Sequence, residues 1–291
     1  MDLSFRNRAA QQLIALFGIV WLASACTDVI ELDLPEPKTE LVVNGTFTPD
    51  SAWSVEVSTS QSSLNSNPYR MVSNATVEVY SKGQLVAKLP HMGNGKYSLD
   101  GSKPLALEQY TLKVSAPGLP NCQATDVVPA QPAASNFKAK YISGSKNPQM
   151  QEVELAFTLA DAPGATNYYY INAFVMDTAH TGEVYKNFVN VELQSPIKAE
   201  FSLDSRYFFS DKFIDGQNTT LTLRYERQPK GKIIQTNITQ ISADYYTYSR
   251  TLEKQSYRDN FLTTPTPVQG NIKNGYGLFA GYNTKAVYLR H

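Results

Sequence analysis

From residue 40 to about residue 130, apolar and polar side chains alternate in short runs. Leu41 to Phe47 is the first. Trp53-Ser54-Val55-Glu56-Val57-Ser58 then places Trp53 and both valines on one side of an extended chain, because successive side chains of a strand point to opposite faces. Ala75–Tyr80, Gln84–Leu89, Tyr97–Leu99, Tyr110–Val114 and Gln123–Val128 continue the pattern. Lys82-Gly83 and Asn94-Gly95 interrupt it; the second pair suits a type I′ hairpin, whose two central residues both need positive φ. Seven or eight short strands at this spacing predict an antiparallel, immunoglobulin-like β-sandwich over 40–131.

Pro129, Pro132 and the small residues between them mark a boundary. A second β-rich domain is expected over 132–291, with strands at Phe137–Ile142, Val153–Leu159, Tyr168–Val175, Phe188–Leu193, Thr219–Tyr225 and Ile233–Ile241. The period then changes. Ser242 suits an N-cap, Asp244 falls in the first turn, and Tyr245, Tyr248 and Leu252 recur at helical spacing. They predict one amphipathic helix over 243–257, packed on a sheet or offering its aromatic face to a partner. The tail from Pro265 mixes glycines with Tyr276, Phe279 and Tyr282, which serves close strand packing or a loop that a partner covers, and Ala286–Leu289 closes the chain as a strand. The fold class expected is therefore mainly β.

The first residues follow another logic. Arg6 and Arg8 precede an apolar run, Leu13 to Ala25, which is too short to span a hydrocarbon core about 30 Å thick. It has the length of a signal-peptide core, so residues 1–25 are expected to be removed. Leu22-Ala23-Ser24-Ala25-Cys26 resembles a bacterial lipobox, in which Cys26 would carry a diacylglyceryl group and, once freed, an acylated amine (palmitate is a typical chain). The plainer reading is an ordinary secretory signal with Cys26 incidental. One acyl chain binds a membrane only marginally, whereas three would hold it durably. Residues 26–39, with Asp28, Glu31, Asp33, Glu36 and two prolines, read as an acidic tether.

Several segments carry a resemblance. Cys26-Thr27-Asp28-Val29-Ile30-Glu31-Leu32-Asp33-Leu34, Phe209 to Gly216 leading into Thr219–Leu223, Ile241 to Tyr248, Thr264-Pro265 and Gly270 to Tyr282 together resemble the Bacteroidota lipoproteins grouped as domain of unknown function 4249. The Asp-Tyr-Tyr helix and the closing Asn-Ile-x-x-Gly-x-Gly-x-Phe-x-Gly-Tyr run are the most specific parts. The resemblance implies an outer-membrane lipoprotein, often encoded beside a TonB-dependent receptor, and supplies neither an activity nor site residues. Asp50-Ser51-Ala52 and Asp177-Thr178-Ala179 resemble the acceptor motif of Bacteroidota O-glycosylation, which makes Ser51 and Thr178 candidate sites. The acids after Cys26 also resemble surface-sorting signals.

Composition narrows the chemistry. The 291 residues carry 26 basic and 26 acidic side chains, so no cationic excess exists for a phosphate backbone and nucleic acid is not expected. Tyrosine (18) and phenylalanine (13) dominate over tryptophan (2), which favours strands and is common at binding faces. If Cys26 is acylated, Cys122 has no disulfide partner, and in its alternating stretch it reads as a small buried apolar residue. His91, His180 and His291 show no metal-pair spacing, and no nucleophile elbow, phosphate loop or EF-hand loop occurs. Asp211, Asp215 and Glu226 flank one strand and are the best candidates for an acidic cluster. The expectation is a non-enzymatic protein without metal or cofactor. It would serve a TonB-dependent nutrient transporter as accessory or binding partner. The alternative is an independent glycan- or peptide-binding surface module, and a hydrolase ranks third.

Overall fold

The computed structural model describes residues 38–62, 67–143, 149–178, 183–194, 196–256 and 267–290. The signal peptide, Cys26, nearly all of the tether, His180, His291 and the Thr264-Pro265 pair lie outside them. No helix among the described residues is long and apolar enough to cross a membrane.

The first half runs β1 (Leu41–Phe47), β2 (Trp53–Thr59), β3 (Thr76–Ser81), β4 (Gln84–Leu89), β5 (His91–Gly93), β6 (Lys96–Leu99), β7 (Gln109–Ser115) and β8 (Cys122–Val127). β1, β2, β6 and β5 pair in that order against a second sheet ordered β4, β3, β7, β8. This is the A-B-E-D against C′-C-F-G arrangement of an immunoglobulin-like sandwich, as the alternation predicts. Asn94 and Gly95 both take positive φ in the β5–β6 hairpin. Inside, Trp53 meets Tyr110 edge-on at 4.9 Å, and Phe47 stacks on Phe279 at 4.3 Å. Such ring pairs add about 0.5–1.5 kcal/mol each beyond their buried area.

The second half comprises β9 (Ala133–Ser143), β10 (Met150–Ala160), β11 (Tyr168–Thr178), β12 (Val184–Val189), β13 (Val191–Leu193), β14 (Phe201–Leu203), β15 (Arg206–Ser210), β16 (Asn218–Pro229), β17 (Ile233–Ile241), the helix Ala243–Ser256, and β18 (Tyr276–Arg290). A sheet ordered β13, β16, β10, β9 faces the one holding β15, β11, β17 and β18 across a core of Leu155, Phe157, Ile171, Phe209 and Leu223. The single strand expected at Phe188–Leu193 is two. The chain turns at Asn190, so β12 pairs with β11 while β13 crosses to pair with β16.

The closing strand is much longer than Ala286–Leu289. Its first part pairs in parallel with β1, from Val42↔Tyr276 to Phe47↔Gly281, and its second part pairs antiparallel with β17, from Ile241↔Tyr282 to Ile233↔Arg290. One ten-stranded sheet thus runs through both halves. Ile272 and Phe279 bury in the first core, although the chain reaches them after the second is built. The periodicity hides this because β18 changes partners midway and its glycines dilute the alternation. Gly281 sits at the change; a Cβ there would lie 2.1 Å from the Val127 carbonyl oxygen.

Candidate functional site

The outer face of the large sheet divides into a covered and an uncovered half. On strands β11 and β17 the side chains alternate strictly. Ile171, Ala173, Val175, Ile234 and Ile238 enter the second core, so Tyr170, Asn172, Phe174, Gln235 and Asn237 point the other way.

The helix covers one half. Ser242 caps it, its Oγ accepting the Tyr245 N–H at 3.2 Å, as its sequence position predicts. Tyr246 stacks on Tyr168 at 4.4 Å and joins Tyr170, Phe208 and Ile241 in a small third core. The face expected from Tyr245, Tyr248 and Leu252 is rotated: Tyr246 and Ser249 are the deeper positions, because the aromatic row Tyr168–Phe201–Phe208 takes the Tyr246 ring. Burial works to raise the Glu200 carboxyl, but hydrogen bonds from Ser210 and Tyr246 and the Arg250 charge outweigh it and hold it below the usual range. The two most specific stretches of the family resemblance meet here. Asn271 donates to Asp244 Oδ2 at 3.0 Å, and its side chain also pairs with both backbone groups of Phe279, at 2.8 and 2.9 Å.

No element among the described residues covers the other half. Register places Phe188, Phe174, Gln235 and Tyr288 in one row across β12, β11, β17 and β18, with Lys186, Met176, Ile233 and Arg290 in the next. The Phe174 and Phe188 rings stand 4.6 Å apart. Phe188 is 56 %, Tyr288 59 % and Ile233 39 % exposed. Beside the rings Gln235 Nε2 donates to Asn237 Oδ1 at 2.8 Å, yet Gln235 Oε1 and Asn172 Oδ1, on residues 7 % and 5 % exposed, have no donor among the described residues. No sequence signal marks this face. Its members come from four strands spread over more than a hundred residues, and only their pairing lines them up.

The acidic cluster expected of Asp211, Asp215 and Glu226 is real in part. Asp211 and Asp215 converge with Asp161, their carboxylate oxygens all within 4.8 Å. Glu226 is elsewhere, accepting from Asn190 Nδ2 at 2.9 Å beside Arg224 in a shallow cleft of the opposite sheet. Asp161 accepts the Tyr169 hydroxyl at 2.9 Å and the Gly216 N–H at 3.1 Å, Asp211 accepts the Asn167 N–H at 2.7 Å, and Asp215 accepts the Gly164 N–H at 2.9 Å. Burial pushes the Asp211 carboxyl up, and the charges of Asp161 and Asp215 add to the push. Burial also raises the Tyr169 phenol. All three aspartates lie in the two loops joined by these bonds, 161–167 and 211–217, so the trio braces a loop crossing, and it is also the described group best arranged to hold a cation.

Ser51 lies in the exposed turn between β1 and β2, and Thr178 ends β11 with its N–H bonded to Asp177 at 2.9 Å. His91 is exposed, its ring 5.1 Å from that of Tyr97. Cys122 is buried, which pushes its thiol up to about 11.

Comparison with known proteins gives a family and little else. A family model described as "Domain of unknown function (DUF4249)" matches residues 27–286. No curated protein matches the chain. Among solved structures, a Salmonella alpha-2-macroglobulin is similar at 13 % identity and a TM-score of 0.23; the match covers 91 % of this chain and 16 % of that one. A two-domain fibronectin type III segment of chicken tenascin is similar at 11 % identity and a TM-score of 0.20, over 88 % and 99 % of the two chains. The collagen adhesin of S. aureus is similar at 7 % identity and 0.21, over 87 % and 95 %. Likenesses this weak say nothing about activity.

Proposed function

The chain belongs to the DUF4249 family, and from that premise we propose that it is an outer-membrane lipoprotein that works without catalysis as a binding accessory of a TonB-dependent nutrient transporter. The anchor is Cys26, at the end of the short apolar run, with the acidic residues up to 39 as spacer. The observation that carries a binding role is the uncovered half of the large sheet. Exposed Phe188 and Tyr288 lie in one row with a glutamine bonded to Asn237 on the same face, on a sheet, where a partner or ligand gains apolar contact without refolding the chain.

Co-purification from native membranes tests the partnership. A transporter enriched with the wild-type chain, and lost with Cys26→Ser, is the expected result. Recovery of the chain alone in repeated preparations would refute it. The same exposed rings favour a second reading, a glycan- or peptide-binding module that acts alone; the chain would then bind its ligand with no transporter present.

A further inference from the structure

We propose that the uncovered half-face binds an acidic carbohydrate, a proposal that rests on the binding role above and names its ligand class. The rings come first. Phe188, Phe174 and Tyr288 occupy one row spanning three interstrand spacings, about 14 Å at about 4.8 Å each. A flat strip with exposed rings at both ends suits a ligand that presents an extended C–H face, as a sugar chain does.

The floor asks for hydroxyl groups. Asn172 Oδ1 and Gln235 Oε1 are carbonyl acceptors on residues more than nine-tenths buried, and no described residue gives them a donor. Both oxygens are shielded from solvent, so a ligand pairs them only where the Asn172 and Gln235 side chains rotate outward; because a buried acceptor left unpaired costs about 1–3 kcal/mol, a ligand rich in O–H donors gains from that rotation where a hydrocarbon or an aliphatic peptide face would not.

The flanks supply the charge. Lys186 on β12 and Arg290 on β18 stand at opposite sides of the adjoining row, both exposed. Among the described residues neither has an acidic partner at ion-pair distance. Lys186 Nζ lies 6.0 Å from the Phe174 ring centroid, so its charge hangs over the strip. No aspartate or glutamate occupies either row. Two unpaired cations flanking rings and orphaned acceptors favour a sugar chain bearing carboxylate or sulfate groups over a neutral one.

Calorimetry on the full-length protein in detergent tests this with trigalacturonate as the carboxylated probe, a sulfated trisaccharide as the sulfated one and maltotriose as the neutral one. At least one acidic probe should bind, more weakly as salt rises from about 0.05 to about 0.5 M. Phe188→Ala and Tyr288→Ala should each weaken binding about tenfold. Lys186→Ala with Arg290→Ala should remove the preference over maltotriose. Both rings are exposed, so an unchanged melting temperature certifies the fold of these variants. Failure of both acidic probes, binding indifferent to both ring changes, or maltotriose bound as tightly as the acidic probes would overturn the proposal. Binding of an acidic probe by a chain that purifies without a transporter would sink the partnership and leave this inference standing.

Discussion

Asp126 Oδ2 accepts the backbone N–H of Gly281 at 3.0 Å across 155 positions of sequence. The bond ties the edge of the first sandwich to the point where β18 leaves β1 for β17. Asp126 is 9 % exposed; burial pushes its carboxyl from the ordinary 3.8 up to about 6, against the pull of Ser242 and of the Val127 and Gly281 N–H groups. The folded chain therefore binds this proton more tightly than the unfolded one. Its contribution is fully present below about pH 3.8 and is lost as pH rises through about 6, by roughly 3 kcal/mol at 1.36 kcal/mol per decade. Urea unfolding between pH 4 and pH 7 should show this loss in the wild type and a smaller one in Asp126→Asn. An identical pH dependence in the two proteins would show that Asp126 does not titrate in this window.

Gly281→Ala should destabilise by about 3 kcal/mol or more. The new methyl would stand 2.1 Å from the Val127 carbonyl oxygen and 2.9 Å from the Val128 Cα, both backbone atoms that cannot rotate away. The urea midpoint should fall, and both cores should melt together, because the residue lies on the strand they share.

Asn271→Ala should cost about 1–3 kcal/mol. It leaves the N–H and C=O of Phe279 without the side chain that satisfies both, and frees Asp244 at the helix start. Asn271→Asp should be worse near neutral pH, since a carboxylate cannot donate to the Phe279 carbonyl and would face Asp244. Thermal melts of the two variants at pH 7 check the order.

Asp215→Asn should raise stability by a few tenths of a kcal/mol to about 1 kcal/mol. Asp215 is exposed and can keep its Gly164 bond as an amide, while its charge no longer opposes that of buried Asp211. A melting temperature at pH 7 in chelator that falls instead would mean the three carboxylates are held together by something other than their loop bonds.

Much of the fold is legible along the chain because strand burial repeats every two residues. Trp53, Val55 and Val57, or Tyr110, Leu112 and Val114, announce their inward side without a partner. Asn94-Gly95 and Ser242 are equally local, each set by backbone conformation within four residues. The short strands Phe201–Leu203 and Arg206–Ser210 escape notice, since three to five residues hold too little period to separate from a loop. Asp161 escapes as well, because it lies fifty residues before Asp211 and only the loop crossing brings them together.

The sequence by itself settles the β-rich class, the two runs of strands, the helix and the family, because each depends on neighbours within a turn, a strand or a motif. The tertiary structure alone decides that β18 joins both cores, that Asp126 reaches Gly281, and that Phe188, Gln235 and Tyr288 share one row. Those relations depend on register between strands far apart in the chain, and a shift of one residue would turn every one of these side chains to the opposite face.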